Sequence, residues 1–120
     1  MSDDTILLDH GSGGLASQEL ISGLFLKHLD SPILKDLEDS AVIDNQDGKL
    51  VFTTDSYVVD PLFFPGGDIG KLAVHGTIND LAMRGGRPLC LSLALILEEG
   101  MALADLEKII ISIAQAARES

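Results

Sequence analysis

The sequence predicts an α+β fold: a four-stranded sheet with helices on one face. Three observations carry that expectation. Four short runs, at 6–8, 41–44, 49–59 and 89–97, have the apolar composition of strands. Three further segments place apolar residues at helical spacing. The run 89–97 is uncharged on both of its alternating faces, so a layer is expected on each side of it.

Taken in order, 6–8 is an edge strand and His10-Gly-Ser-Gly-Gly14 a flexible loop. Ser17 is a plausible N-cap for a helix carrying Leu20, Ile21, Leu24 and Phe25, which Asp30, Ser31 and Pro32 end. Residues 41–44 and 49–59 form a β-hairpin around Asn45-Gln-Asp-Gly48. Residues 61–67, with two prolines and two glycines, form a loop. Asp68 caps a helix over 69–84, stopped by Gly85-Gly86. A last helix, 102–118, aligns Leu103, Leu106, Ile109, Ile110, Ile113 and Ala117 in one stripe. In strand 89–97, one face carries Leu89, Leu91, Leu93, Leu95 and Leu97, and the other Cys90, Ser92, Ala94 and Ile96. The leucine face suits overlying helices. The small-residue face suits another sheet, which so short a chain hardly supplies, so a homodimer is expected.

The 120 residues fit a single domain, 1–120. Hydrophobic residues make up 46%, but with one Tyr, four Phe and no Trp the core must come from Leu, Ile, Val and Ala. A net charge of −11 argues against nucleic acid and favours cations, although most of the carboxylates read as solvated surface. Cys90 is the only cysteine, which rules out an intrachain disulfide and suits a reducing cytosol. Met1-Ser-Asp-Asp4 lacks the basic start of a signal peptide, and the longest uncharged stretch, 88–97, is too short to span a bilayer. A cytoplasmic protein with no membrane partner is expected.

Helix 69–84 is apolar on nearly all sides, which predicts burial, and Asp80 falls in the middle of the face formed by Ile69, Leu72, Ala73, Gly76 and Met83. A buried carboxylate is costly unless paired or metal-bound. Asp80 is thus either a metal ligand or a group bonding nearby backbone, and periodicity does not choose between them. Asn79 adds an amide beside it. Thr53-Thr-Asp-Ser56 interrupts an apolar strand. It is either the strand end turning into solvent or a hydroxyl–carboxylate pair facing Mg²⁺ or phosphate, since Mg²⁺ commonly takes one or two carboxylates. Asp39 alone is an ordinary loop acid. The glycines at 11, 13 and 14 either converge backbone N–H groups on an anion or form a plain linker. Gly66-Gly-Asp-Ile-Gly-Lys71 is no P-loop, because Pro65 stands where the first Gly is required and Leu72 replaces Ser or Thr. Asn45-Gln-Asp-Gly48 lacks EF-hand spacing. His10, His28 and His75 are too scattered for a metal site, and Cys90 reads as core.

Asp39-Ser-Ala-Val42, Thr53-Thr-Asp-Ser56, Phe64-Pro-Gly, Asp68-Ile-Gly-Lys-Leu-Ala73 and Asn79-Asp-Leu-Ala-Met-Arg-Gly-Gly-Arg-Pro88 follow one another in the order seen in the N-terminal half of the PurM superfamily. That group includes aminoimidazole ribonucleotide synthetase, thiamine monophosphate kinase, selenophosphate synthetase and the HypE-type hydrogenase maturation proteins. His10-Gly-Ser-Gly-Gly14 and Gly76-Thr-Ile-Asn-Asp80 most resemble the HypE type.

The resemblance implies that the sheet pairs with a second copy into a barrel-like dimer. It implies ATP in a cleft, with Mg²⁺ on Asp39, Asp55 and Asp80 and the phosphates covered by Gly11, Gly13 and Gly14. Thr54 and Asn79 join the nucleotide-binding set and Asp80 the catalytic one. The HypE type dehydrates an S-carbamoyl group on its own C-terminal cysteine to a thiocyanate, the source of cyanide ligands for NiFe hydrogenase. Partners implied are a carbamoyltransferase and maturation scaffold proteins. Ser120 ends the sequence before a second domain or terminal cysteine, so this chain alone is expected to be inactive. The alternatives are a related kinase, such as the thiamine monophosphate enzyme, or a non-catalytic dimerising docking domain.

Overall fold

The computed structural model describes residues 4–120, so the acidic start at Met1, Ser2 and Asp3 lies outside the described residues. Two compact units are present, the first comprising 4–43 and Ala94–Ile111, the second Asp44–Leu93 and Ser112–Ser120.

In the first unit, the segment entering at Asp4 lies along the segment preceding the last helix. Thr5 bridges Ala102 in antiparallel fashion. The Ile6 amide donates to Met101 O (2.7 Å), and Ile6 O accepts from the Gly100 amide (2.7 Å). Ile6 is buried. The expected strand 6–8 is therefore one bridge, cut short by a 3-10 turn at Leu8–Gly11. A helical segment follows: α1 (Leu15–Leu20), a π turn (Ile21–Phe25) and α2 (Leu26–Leu29). It ends where expected, at Asp30 with φ 43. Gly14, not Ser17, occupies the N-cap position, so the expected cap is corrected. Ser17 is already helical, and its hydroxyl turns back into the preceding loop.

The second unit contains β1 (Phe63–Phe64) and β2 (Gly67–Asp68), paired antiparallel with Phe63 opposite Asp68 and Phe64 opposite Gly67. Pro65-Gly66 turns between them, Gly66 at φ +94, a pairing suited to a type II turn. The expected loop 61–67 thus contains a minimal hairpin. Next comes α3 (Ile69–Ala82), two residues shorter than the 69–84 expected. Asp68 caps it as expected, its Oδ1 accepting from the Lys71 amide at 2.8 Å. The Gly85 and Gly86 amides close its end on Ala82 O and Leu81 O.

The last helix, α4, is Leu103–Glu119, with Asp105 in its first turn and Arg118 in its last, as the helix dipole favours. Leu106, Ile109 and Ile110 are buried in the first unit, and Ile113, Ala114 and Ala116 in the second. The stripe follows its expected phase, except that Ala117 is exposed. Leu106 and Ile110 are almost wholly removed from water, each worth about 1.5–3 kcal/mol of transfer free energy.

The four-stranded sheet is not formed. Among the described residues the sheet has two strands, β1 and β2, and 41–59 and 89–97 carry no ladder. Alternation specifies which side chains share a face, but a ladder needs partner N–H and C=O groups, and these two segments are without them. Their apolar side chains lie open: Val42, Phe52, Val58, Leu89, Leu91, Leu93 and Ile96 are all exposed. Cys90, read from its strand context as core, is exposed as well. No helix among the described residues is long and apolar enough to cross a membrane.

Candidate functional site

The glycine-rich loop is ordered by Ser17. Its Oγ donates to His10 O (2.7 Å) and accepts from the Gly13 amide (2.9 Å). Ser12 Oγ donates to Asp9 O (2.8 Å), and the Leu7 amide donates to His10 Nδ1 (2.8 Å). Gly13 has φ +81, a conformation L side chains rarely adopt, which is why glycine stands there. Its N–H is already spent on Ser17, so Gly13 shapes the loop rather than offering a donor. Gly11, Gly13 and Gly14 are all exposed. Asp39 follows the 3-10 turn Leu34–Asp36 and is also exposed.

In the second unit, both oxygens of the Asp55 carboxylate are held. Oδ1 accepts from the Ser56 amide (2.9 Å) and Oδ2 from the Tyr57 hydroxyl (3.2 Å). Thr54 and Asp55 are exposed, while Tyr57 is half-buried. The Tyr57 ring lies against Gly76, in the middle of α3. A Cβ added at Gly76 would overlap the Tyr57 hydroxyl and stand 2.9 Å from its Cζ. Asp80 lies four residues beyond Gly76, on the same face of the helix.

Asp80 and Asn79 are exposed, which corrects the buried environment expected for Asp80. The helical phase explains the difference. Gly70, Val74 and Leu81 share the buried face of α3. Ile69, Leu72, Gly76, Asp80 and Met83 lie off that face, and of these Leu72, Asp80 and Met83 are exposed. Apolar side chains reveal which residues share a face, not whether that face is covered.

Among the described residues there is no group of three or more His, Cys, Asp or Glu placed to hold a metal ion. The donor chemistry nonetheless fits Mg²⁺. Asp55 and Asp80 supply hard carboxylate oxygens open to solvent, and Mg²⁺ commonly takes one or two carboxylates and completes its shell with water and phosphate oxygens. A small open cleft of about 100 Å³ lies among Lys71, Ser112, Gln115, Ala116 and Glu119. That is below the roughly 300–1,000 Å³ of ligand pockets, and no residue expected to bind nucleotide lines it. The contact of Tyr57 with Gly76 and the backward hydrogen bonds of Ser17 are not legible from the sequence alone. A glycine inside an apolar helix was the available signal for close approach.

Residues 37–120 match the family described as AIR synthase related protein, N-terminal domain, and the chain belongs to it. Within that class it is similar to proteins named carbamoyl dehydratase HypE. It is 54% identical to the one from Bradyrhizobium diazoefficiens over 113 residues, covering 94% of this chain and 33% of that protein. It is 51% identical to the one from Azotobacter vinelandii over 120 residues, covering 100% of this chain and 35% of that protein. A crystal structure of hydrogenase maturation protein HypE in complex with ATP superimposes with a TM-score of 0.91 at 59% identity, covering 96% of this chain and 34% of that one. The chain thus spans about a third of the length of the curated relatives it matches.

Proposed function

We propose that this chain is the N-terminal ATP- and Mg²⁺-binding, dimerising domain of an ATP-dependent carbamoyl dehydratase in NiFe hydrogenase maturation. The observation that carries the reading is the likeness, over nearly the whole chain, to a HypE crystallised with ATP. The enzyme converts an S-carbamoyl cysteine to a thiocyanate in the cytoplasm, receiving the carbamoyl group from a carbamoyltransferase within a scaffold complex. ATP supplies the phosphoryl group that turns the amide oxygen into a leaving group, and Mg²⁺ offsets phosphate charge.

The chain's own residues position and neutralise. Asp39, Asp55 and Asp80 hold the metal, and Asp80 lies next to the chemistry. Asn79 and Thr54 bind nucleotide with the loop of Gly11, Gly13 and Gly14, in which Gly13 sets the backbone path. A second copy covers the open apolar side chains of 41–59 and 89–97. Much of such catalysis is orientation and charge stabilisation, which fixed carboxylates provide.

Calorimetric titration of Mg²⁺–ATP into the full-length protein, wild type beside Asp80→Asn, tests the reading. Weakened binding in the variant is expected. Unchanged binding removes Asp80 from the metal site, and absence of heat with wild type leaves only a docking domain.

A further inference from the structure

Tyr57 joins two parts of the proposed site. Its hydroxyl donates to Asp55 Oδ2 at 3.2 Å, and the same hydroxyl and ring edge rest on Gly76. Gly76 is inside α3, where glycine costs about 1 kcal/mol relative to alanine. An alanine Cβ there would take the space of the Tyr57 hydroxyl, so the ring would have to move. One helical turn further, on the same face, is Asp80. A carboxylate two residues before the tyrosine is thereby tied to the helix face that carries the other carboxylate.

We infer that Tyr57 is a positioning residue for metal binding, with Gly76 as its seat: it holds the Asp55 carboxylate in register with the α3 face bearing Asp80. The inference rests on the proposed role of Asp55 as an Mg²⁺ ligand. The hydroxyl donates to Oδ2 and the Ser56 amide to Oδ1, so rotation of the carboxylate is restrained at both oxygens while each keeps a lone pair for a cation. An exposed aspartate without those bonds would have to be ordered by the metal itself, at the expense of affinity. Tyr57 does not touch the reacting atoms in this account. It acts through Asp55.

The test is Mn²⁺ titration of the full-length protein with a non-hydrolysable ATP analogue, followed by loss of the free Mn²⁺ electron paramagnetic resonance signal. Mg²⁺-dependent turnover is measured alongside. Tyr57→Phe keeps the ring on Gly76 and removes only the donor. Its metal dissociation constant is expected to rise about two- to tenfold, the range for one lost hydrogen bond, and excess Mg²⁺ is expected to recover turnover. Gly76→Ala, which displaces the hydroxyl, is expected to weaken metal binding at least as much. Asp55→Asn separates the two claims. Wild-type affinity in Tyr57→Phe alongside weakened affinity in Asp55→Asn overturns the positioning role and leaves the Asp55 reading intact. Wild-type affinity in Asp55→Asn overturns both.

Discussion

The hydroxyl of Ser17 closes a ring with the backbone of Gly13, accepting from its amide at 2.9 Å while donating to His10 O at 2.7 Å. Ser17 is buried, so both bonds are sheltered from water at a loop that is otherwise exposed. Ser17→Ala leaves the Gly13 amide and His10 carbonyl without that partner. A loss of about 1–3 kcal/mol is expected if they stay buried, and less if water reaches them. Amide hydrogen exchange checks this directly: Gly13 exchanges faster in the variant, and the apparent affinity for ATP in the full-length protein falls. Unchanged protection at Gly13 would show that Ser17 does not order the loop.

The contact between Tyr57 and Gly76 also makes a prediction about stability, separate from metal binding. Gly76→Ala is expected to destabilise the protein, by about 1–3 kcal/mol for an overpacked site. In a Tyr57→Ala background the obstruction is gone, and the helix propensity of alanine over glycine should return about 0.8–1 kcal/mol. The sign of the Gly76→Ala effect therefore reverses between the two backgrounds. Urea unfolding of the four proteins of this cycle measures it. The same sign in both backgrounds would place the cost of alanine elsewhere.

These two relationships show how far a sequence can be read here. The helices were legible: the 3.6-residue period put α4 in phase, and the Asp68 cap with the glycine stop bounded α3 to within two residues at its C-terminal end. The sheet was not. The residues at 41–59 and 89–97 have strand composition, but pairing depends on a backbone partner that composition does not specify. Helical phase places Asp80 on its face but not in its environment, because an apolar wheel does not say which side the chain covers. Ser17 has the residue type of an N-cap, yet it sits three positions into the segment and bonds backward. Nothing local marks Tyr57, because its partner Gly76 is nineteen positions away and only the folded chain brings them together.

Glu107 on α4 is met by two side chains from α2, His28 Nε2 at 2.7 Å and Lys27 Nζ at 3.5 Å from its Oε2. The hydrogen bond from His28 is the chief cause holding its carboxyl below the usual range; desolvation opposes it, and Lys27 adds to the lowering. A depressed carboxylate stabilises the fold above its unfolded pKa and loses that contribution as pH falls through its folded pKa. Wild type is therefore expected to be more stable than Glu107→Gln at neutral pH, with the gap closing on acidification below the ordinary carboxylate range. The side chain is half-buried at the surface, with solvent at its carboxylate, so the gap is small and shrinks in high salt. Melting temperature against pH, at two salt concentrations, reads it out. A gap that persists at the acid end would mean that the effect is not ionic.

Asp68 combines a helix cap with burial, its Oδ1 2.8 Å from the Lys71 amide. Asp68→Ala is expected to cost about 0.5–2 kcal/mol, and Asp68→Asn much less, because asparagine caps nearly as well. Equal losses in the two variants would shift the explanation from the cap to the negative charge at the helix N-terminus. Chemical denaturation distinguishes them.

Cys90 offers a reporter for the proposed second copy. Its thiol is exposed in the single chain, among open side chains at Leu89, Leu91 and Leu93. If a second copy covers this segment, the thiol becomes protected in proportion to the dimer present. Maleimide labelling of Cys90 is therefore expected to be fast at dilutions where sedimentation shows monomer, and to slow as concentration drives association. A polar substitution on the face that carries Cys90, Ile96→Gln, should hold the protein monomeric and keep labelling fast throughout. Labelling that stays fast in a sedimenting dimer would place the interface on another surface. The apolar side chains at Leu89, Leu91, Leu93 and Ile96 would then stay open in the assembled protein.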